Sequence, residues 1–330
     1  MNSDIQKYQK YKSKYLNLKK NIYYDLGDLT FLPPARLSGE YNKYAGKFMH
    51  TEIVQRLKYT NNLIKKYFIE NYSKNIDVLI DVGSGRGNDA KYWIENGIKF
   101  VIGIEPSAES IKIAIRRYIN MQKQNIKTKI IYLNGIGNKI WDDGSASLTN
   151  KDIKSFQKFF GEKKIKANTI NLFWTIHYMM DTIKDFNNLI SNFVNHLKLG
   201  GNLVILCMNG EYIHNLLKNN QGIYQVLDDN NNLVFQLTSL YNHELDYQNL
   251  PIFGNKITVT LTGTYGLEKG INENLVFINK IKERLTDEGF DLIFHKNFLD
   301  IDIPEIKTLN RYEREVIGFY EGLVFKKNHN

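Results

Sequence analysis

The stretch "DVGSGRGNDAKYW", residues 81–93, sets Gly83, Gly85 and Gly87 at alternate positions directly after the apolar run "IDVLI". Glycines so spaced let backbone N–H groups approach a ligand at a helix N-terminus, and Asp81 and Asp89 add carboxylates on either side. Glu105 follows about 20 residues later, where an acidic side chain can accept both hydroxyls of a ribose. Recognition of a nucleoside is the chemistry implied, with a tight structural turn as the alternative. A second group begins at His177, in "HYMMD", after the β-rich run "NTINLFWTI". His177 and Tyr178 therefore belong at the carboxyl end of a strand, facing the same crevice as the glycine loop. Taken alone, His177 reads equally as a buried core histidine.

Placing these groups together requires a regular scaffold, and the surrounding sequence supplies one. "IDVLIDVG" reads as a strand, "NDAKYWIENG" as a helix ending at Gly97, "KFVIGIE" as a strand, and "SAESIKIAIRRYINMQ" as a helix with Ser107 as N-cap. "TKIIYLN", "NTINLFWTI" and "GNLVILCM" are further strands, and "DTIKDFNNLISNFVNHLKLG" is the helix before the last of them. Strands alternating with helices predict an α/β domain with a doubly wound, mainly parallel sheet that binds its ligand at the strands' carboxyl ends. "VFQLTSLYN", "NKITVTLTGTYG" and "YEGLVFKK" are expected to extend that sheet with antiparallel strands. Upstream, "TEIVQRLKYTNNLIKKYFIEN" lacks proline and glycine and reads as a helix.

The chain has 330 residues and is 42% apolar, which supports a sizeable core. No run approaches the roughly 18 to 20 apolar residues of a membrane span, and the lysine-bearing start is unlike a secretory signal. An intracellular, cytoplasmic protein is expected. The single cysteine, Cys207, lies in "NLVILCM" and reads as core packing. Lys plus Arg 44 against Asp plus Glu 35 gives a net charge of +9, which favours a polyanionic partner, although lysine is abundant throughout. In residues 1–20, Ile5, Tyr8, Tyr11, Tyr15 and Leu18 form a helical stripe among lysines. That basic amphipathic segment reads as an RNA or protein docking arm or as a solvated helix, and "LGDLTFLPPARLSG" is a linker ending near residue 40.

From about residue 40 to 327 the chain resembles the mRNA cap guanine-N7 methyltransferase family, including the type found in large DNA viruses. The resemblance rests on "YTNNLIKKYFI", "IDVGSGRGNDAKYW", "IGIEPSAESIKIAIRRY", "FWTIHYMMD", "FGNKITVTL", "INENLVFINKI" and "YEREVIGFYEGLVFKK", in the family's order. It implies a class I S-adenosylmethionine-dependent methyltransferase over residues 41–330, with residues 1–40 as N-terminal segment and linker, acting on the capped 5′ end of mRNA. In a virus the setting would be the virus factory or virion. Other modules or subunits of a capping enzyme are implied as partners, since no Lys-x-Asp-Gly signature for guanylyl transfer occurs.

The resemblance also assigns roles. Lys65 would meet the methionyl carboxylate of S-adenosylmethionine, Asp81, Gly83, Gly85 and Asp89 would border its amino group, and Glu105 would hold the ribose. Asn134 stands where an aspartate often reaches adenine, Phe173 where a glutamine is common, and Tyr178 borders the cofactor as well. Asn61, Asn62, Arg86 and Arg117 would approach the cap and its phosphates, whereas Tyr92 falls where a lysine is common. His177, Tyr178, Glu273 and Tyr320 would read guanine, Glu273 by accepting from N1–H and N2–H₂ together. The other reading of Glu273 is a solvated acid before the helix "NLVFINKIKERL".

Such a reaction needs neither general base nor metal. Guanine N7 has an in-plane lone pair and no proton, so catalysis is alignment at a near-attack distance of about 3 to 3.5 Å, helped by negative potential as positive charge passes to the guanine. S-adenosylhomocysteine is the expected product. Two rivals remain: an S-adenosylmethionine enzyme acting on another RNA, a protein or a small molecule, and a non-catalytic subunit of a capping complex.

Overall fold

A computed structural model describes residues 52–122, 126–262 and 270–328. The basic segment and linker of residues 1–40 lie outside the described residues, as does part of "TGTYG". The first described helix, α1 (Glu52–Tyr72), buries Leu57, Ile64 and Phe68 along one stripe. The next elements are β1 (Val78–Val82), α2 (Ala90–Glu95), β2 (Phe100–Glu105), α3 (Ala108–Gln122) and β3 (Lys129–Asn134). α4 (Asn150–Phe156) leads to β4 (Ala167–Phe173), and α5 (Ile183–His196) to β5 (Leu197–Met208). The last third holds α6 (Gly210–Asn219), β6 (Ile223–Leu227), β7 (Leu233–Ser239), β8 (Lys256–Leu261), β9 (Ile271–Asn274), α7 (Ile278–Asp287), β10 (Phe290–Asn297), α8 (Arg311–Ile317) and β11 (Tyr320–Lys327).

Seven strands form the central sheet in the order β10-β11-β5-β4-β1-β2-β3. β1 to β5 are parallel neighbours, and β11 runs antiparallel to both β5 and β10. The strands are buried on both faces, as a helix-covered parallel sheet demands. In β5, Val204, Leu206 and Met208 enter one core while Leu203, Ile205 and Cys207 enter the other, so Cys207 packs as expected. Because β11 is reversed, its first residue, Tyr320, pairs with Met208, the last residue of β5. α1 lies close over this strand: a Cβ on Gly322 would fall 2.2 Å from Phe68 Cζ.

Three expectations need correction. The segments around β7 and β8 do not extend the central sheet; they form a separate antiparallel sheet ordered β6-β7-β8-β9, because β11 already occupies the open edge of β5. The helix expected through Gly200 ends at His196, where Lys327 Nζ donates to the carbonyls of Val194 and Leu197 at 2.6 and 3.3 Å and closes the helix end. The strand expected through Ile176 stops at Phe173, since Trp174 turns into the left-handed region at φ 54°. Ser107 does cap α3, accepting the N–H of Ser110 at 3.2 Å.

Candidate active site

The loop after β1 is the first half of the site. Gly83, at φ 79°, sits so close to Thr175 that a Cβ would fall 2.0 Å from the threonine methyl. Gly85, at φ 55°, has no such neighbour, and its missing Cβ leaves the backbone open to the crevice. Glu105 ends β2 beside this loop, its carboxylate accepting the N–H of Gly85 and of Ser107, each at 2.8 Å. Burial raises the Glu105 pKa, and those two N–H groups pull it back.

Asp81 and Asp89 share one lysine here. Lys65 Nζ lies 2.8 Å from Asp89 Oδ2, while Asp89 Oδ1 is buried without a hydrogen-bond partner. Burial above all, then the charge of Asp89, drives Asp81 well above the usual carboxylate range. The open Asp89 Oδ1 and the raised Asp81 carboxyl, beside a ribose-type carboxylate, fit a nucleoside that brings an amino group and positive charge, as S-adenosylmethionine does. Phe173 packs at the end of β4 with its ring centre 6.0 Å from Lys65 Nζ, and Trp174 lies 5.6 Å from the same atom. Asn134, paired with Glu105 across β2 and β3, donates both amide hydrogens to the carbonyls of Glu105 and Pro106 at 3.0 Å. With both hydrogens so engaged, the amide has only its Oδ1 left to offer, as an acceptor.

The second half is drawn from three separate segments of the chain. His177 and Tyr178 sit on a single 3₁₀ turn, Ile176–Met179, with ring centres 4.1 Å apart. Glu273 Oε1 lies 3.5 Å from the Tyr178 hydroxyl and 3.5 Å from His177 Nε2. The His177 contact has ion-pair distance but no ion pair: burial pulls the imidazole down to about 3 and pushes the carboxyl up to about 8, leaving both neutral at pH 7. Tyr320 stacks on Phe298 with ring centres 5.9 Å apart and meets Trp174 edge-on, and burial raises its pKa. Glu273 is thus a buried strand residue of β9, 9% exposed, not a solvated acid at a helix start.

Thr175 joins the halves. Its hydroxyl donates to the Val82 carbonyl at 3.0 Å, fixing the segment before His177 against the end of β1. Asn274 adds a second link, donating to the His177 carbonyl at 2.9 Å and to Asp181 at 3.2 Å.

The residues expected at the phosphates are only partly gathered. Asn61 and Asn62 share the α1 face of Lys65, and Asn61 Oδ1 is buried without a partner. Arg117 donates to the Arg86 carbonyl at 2.9 Å and to the Asn88 side chain, so it braces the glycine loop that carries Arg86. Tyr92 is a core residue with Lys91 Nζ 4.5 Å from its ring centre. Trp174, Thr175 and Asn274 contact these residues, and sequence reasoning did not single them out. Trp174 and Thr175 were visible beside His177, but Asn274 is an ordinary residue in an ordinary strand. Among the described residues, no group of three or more His, Cys, Asp or Glu side chains could hold a metal ion, and no helix is long and apolar enough to cross a membrane.

A parallel sheet ordered 3-2-1-4-5 with a reversed strand beyond β5, a glycine loop after β1 and an acid ending β2 give an α/β fold of the class I S-adenosylmethionine-dependent methyltransferase type. Its sequence places it more narrowly. The chain belongs to the mRNA (guanine-N(7))-methyltransferase domain family, whose profile matches residues 41–315. It is 27% identical over 298 residues to the "Probable mRNA-capping enzyme" of Acanthamoeba polyphaga mimivirus, covering 85% of this chain and 24% of that protein. To the mRNA cap guanine-N(7) methyltransferase of Eremothecium gossypii it is 26% identical over 271 residues, covering 78% and 56%. The chain therefore spans about a quarter of the one relative and about half of the other. Among solved structures, an S-adenosylmethionine-dependent methyltransferase from Mesorhizobium loti aligns over 82% of this chain and 99% of its own with 13% identity and a TM-score of 0.49.

Proposed function

We propose that this chain transfers a methyl group from S-adenosylmethionine to N7 of the guanine cap of mRNA, taking GpppN-RNA to m7GpppN-RNA. One observation carries the reading: Glu273 is a buried carboxyl with no cation beside it among the described residues, 3.5 Å from both Tyr178 and His177, next to the crevice lined by Asp81, Asp89 and Glu105. Guanine offers N1–H and N2–H₂ to such a carboxyl, and adenine lacks that donor pair. Bound in the crevice, S-adenosylmethionine supplies an activated methyl group on a sulfonium. Glu105, Asp81, Asp89 and Lys65 hold that cofactor; Tyr178, Glu273 and Tyr320 orient guanine; and neutral His177 closes the pocket without opposing the positive charge that develops on the base. Asn61, Asn62, Arg86 and Arg117 approach the cap phosphates, and the net charge of +9 supports an RNA partner.

In this reading residues 41–330 form the methyltransferase domain, and the protein acts inside the cell beside other modules or subunits of a capping enzyme. Methyl transfer to GpppA-, ApppA- and GTP-type acceptors, with the product position mapped, tests it. Transfer to GpppA at N7 and none to ApppA is expected. Equal transfer to ApppA, or none to either, overturns it.

A further inference from the structure

The segment that carries Glu273 is short of local support. β9 has four residues and pairs with β8 alone. It leads into α7, whose N-cap position is Phe277, a residue whose side chain cannot bond the free N–H groups of the first turn. Those groups are satisfied from elsewhere in the chain. Glu211, in the first turn of α6, accepts the N–H of Ile278 on Oε2 at 2.9 Å and that of Asn279 on Oε1 at 2.8 Å. Tyr247 packs edge-on against Phe277 at 5.1 Å between ring centres, and its hydroxyl lies 3.4 Å from Glu211 Oε1.

The residues beside Glu211 hold the same neighbourhood. The N–H of Gly210 donates to the Val276 carbonyl at 2.9 Å, and a Cβ on Gly210 would fall 2.6 Å from that oxygen. Asn209 donates its backbone N–H to the Phe319 carbonyl at 2.9 Å and its amide to Glu321 at 2.6 Å, the two residues that flank Tyr320. One three-residue junction therefore grips the chain just after Glu273 and on both sides of Tyr320. None of these contacts is made to β1, β2, β3 or α1, which carry most of the cofactor half.

We infer that Glu211 is a positioning residue for guanine recognition: its carboxylate, capping α7 from another helix, sets Glu273 against Tyr320. The inference rests on the proposed cap methylation. The experiment compares wild type, Glu211→Ala, Glu211→Gln, Glu273→Gln and the double variant Glu211→Ala/Glu273→Gln, using GpppA, its inosine counterpart IpppA, and S-adenosylhomocysteine titrations. Glu211→Ala should raise KM for GpppA by about tenfold and compress the preference for GpppA over IpppA, with S-adenosylhomocysteine affinity within about twofold of wild type. Glu211→Gln, which keeps one acceptor oxygen, should fall between. In the double variant the guanosine preference should match that of Glu273→Gln alone, because both changes act on one contact. Additive losses, a parallel fall in S-adenosylhomocysteine affinity, or wild-type kinetics in Glu211→Ala overturn the role of Glu211 while leaving cap methylation standing. A wild type that methylates neither acceptor overturns the functional reading, and the role of Glu211 falls with it.

Discussion

Thr175 and Gly83 touch so closely that the two halves of the site share one joint. The glycine's left-handed backbone and the 2.0 Å that would separate a Cβ from the threonine methyl leave no room for a side chain. Gly83→Ala should therefore damage both halves at once, costing more than the roughly 1 kcal/mol of an unfavourable φ and weakening S-adenosylhomocysteine and cap binding together. Gly85→Ala should differ. Its φ of 55° carries the same backbone penalty, but its Cβ meets no protein atom closer than 4.0 Å, so the fold should lose less than in Gly83→Ala while cofactor binding falls. Thermal melts with calorimetric titrations distinguish the two, and equal behaviour of the variants would refute the joint.

Glu105 already carries two backbone hydrogen bonds before any ligand arrives. Glu105→Ala should weaken S-adenosylhomocysteine binding by about 1.5 to 3 kcal/mol per charged hydrogen bond lost. The loop around Gly85 also loses its anchor, so the loss should exceed that of Glu105→Gln, which keeps one acceptor. Unchanged affinity by calorimetry would remove Glu105 from the cofactor site.

At Asn134 an aspartate should be worse, not better. Asn134→Asp removes both donors to the Glu105 and Pro106 carbonyls and sets a charge against those oxygens. A drop in melting temperature and in S-adenosylhomocysteine affinity is expected. A gain in either would show that the amide does not hold the end of β2.

Glu273 sets the pH response. Its carboxyl keeps its proton up to about pH 8 in the folded chain, against an ordinary value of 4.5, so acceptor binding through the carboxylate must expel that proton below pH 8. Affinity for GpppA should rise with pH toward about 8 and then level off, with proton release visible when calorimetry is repeated in buffers of different ionisation enthalpy. The same raised pKa makes the folded state hold a proton the unfolded state has lost. Stability from this group is full below about pH 4.5 and declines as pH rises to about 8, by an amount on the order of a few kcal/mol. Glu273→Gln lacks that decline, so its melting temperature should gain on wild type as pH rises from 5 to 8. A constant difference would mean the carboxyl titrates normally.

The same variant tests guanine reading. Replacing one acceptor oxygen with a donor should lower kcat/KM for GpppA at least tenfold, by the roughly 1 to 3 kcal/mol of a buried unpaired group. Cofactor affinity should hardly move. IpppA, which lacks the 2-amino group, should lose less, and identical behaviour of the two acceptors in wild type and variant would make Glu273 irrelevant to specificity.

The cofactor half was legible because its signal is local. Glycines needed for left-handed turns, a strand before them and an acid about 20 residues on all lie within one βαβ unit, and the periodicity of "IDVLI" and "FVIGIE" fixed their strands. The guanine half was legible only through family resemblance, since His177, Glu273 and Tyr320 come from three distant segments that no period links. The second sheet was missed for a related reason: "VFQLTS" and "KITVTL" announce strands, but which edge a strand joins depends on whether β11 has already taken it. Glu211 gave no signal at all, because a charged residue opening a helix looks the same whether it faces water or caps a helix from another part of the fold.

The reversed strand also orders events during synthesis. Most of the cofactor pocket comes from residues 52–134, and Thr175 completes its joint with Gly83 as soon as β4 has left the ribosome. The acceptor pocket waits for Tyr320, because β11 must slide in beside β5 from the opposite direction before that ring can meet Trp174. In the proposed reading, the residues assigned to the methyl donor are thus synthesised well before Tyr320, the last of those assigned to guanine.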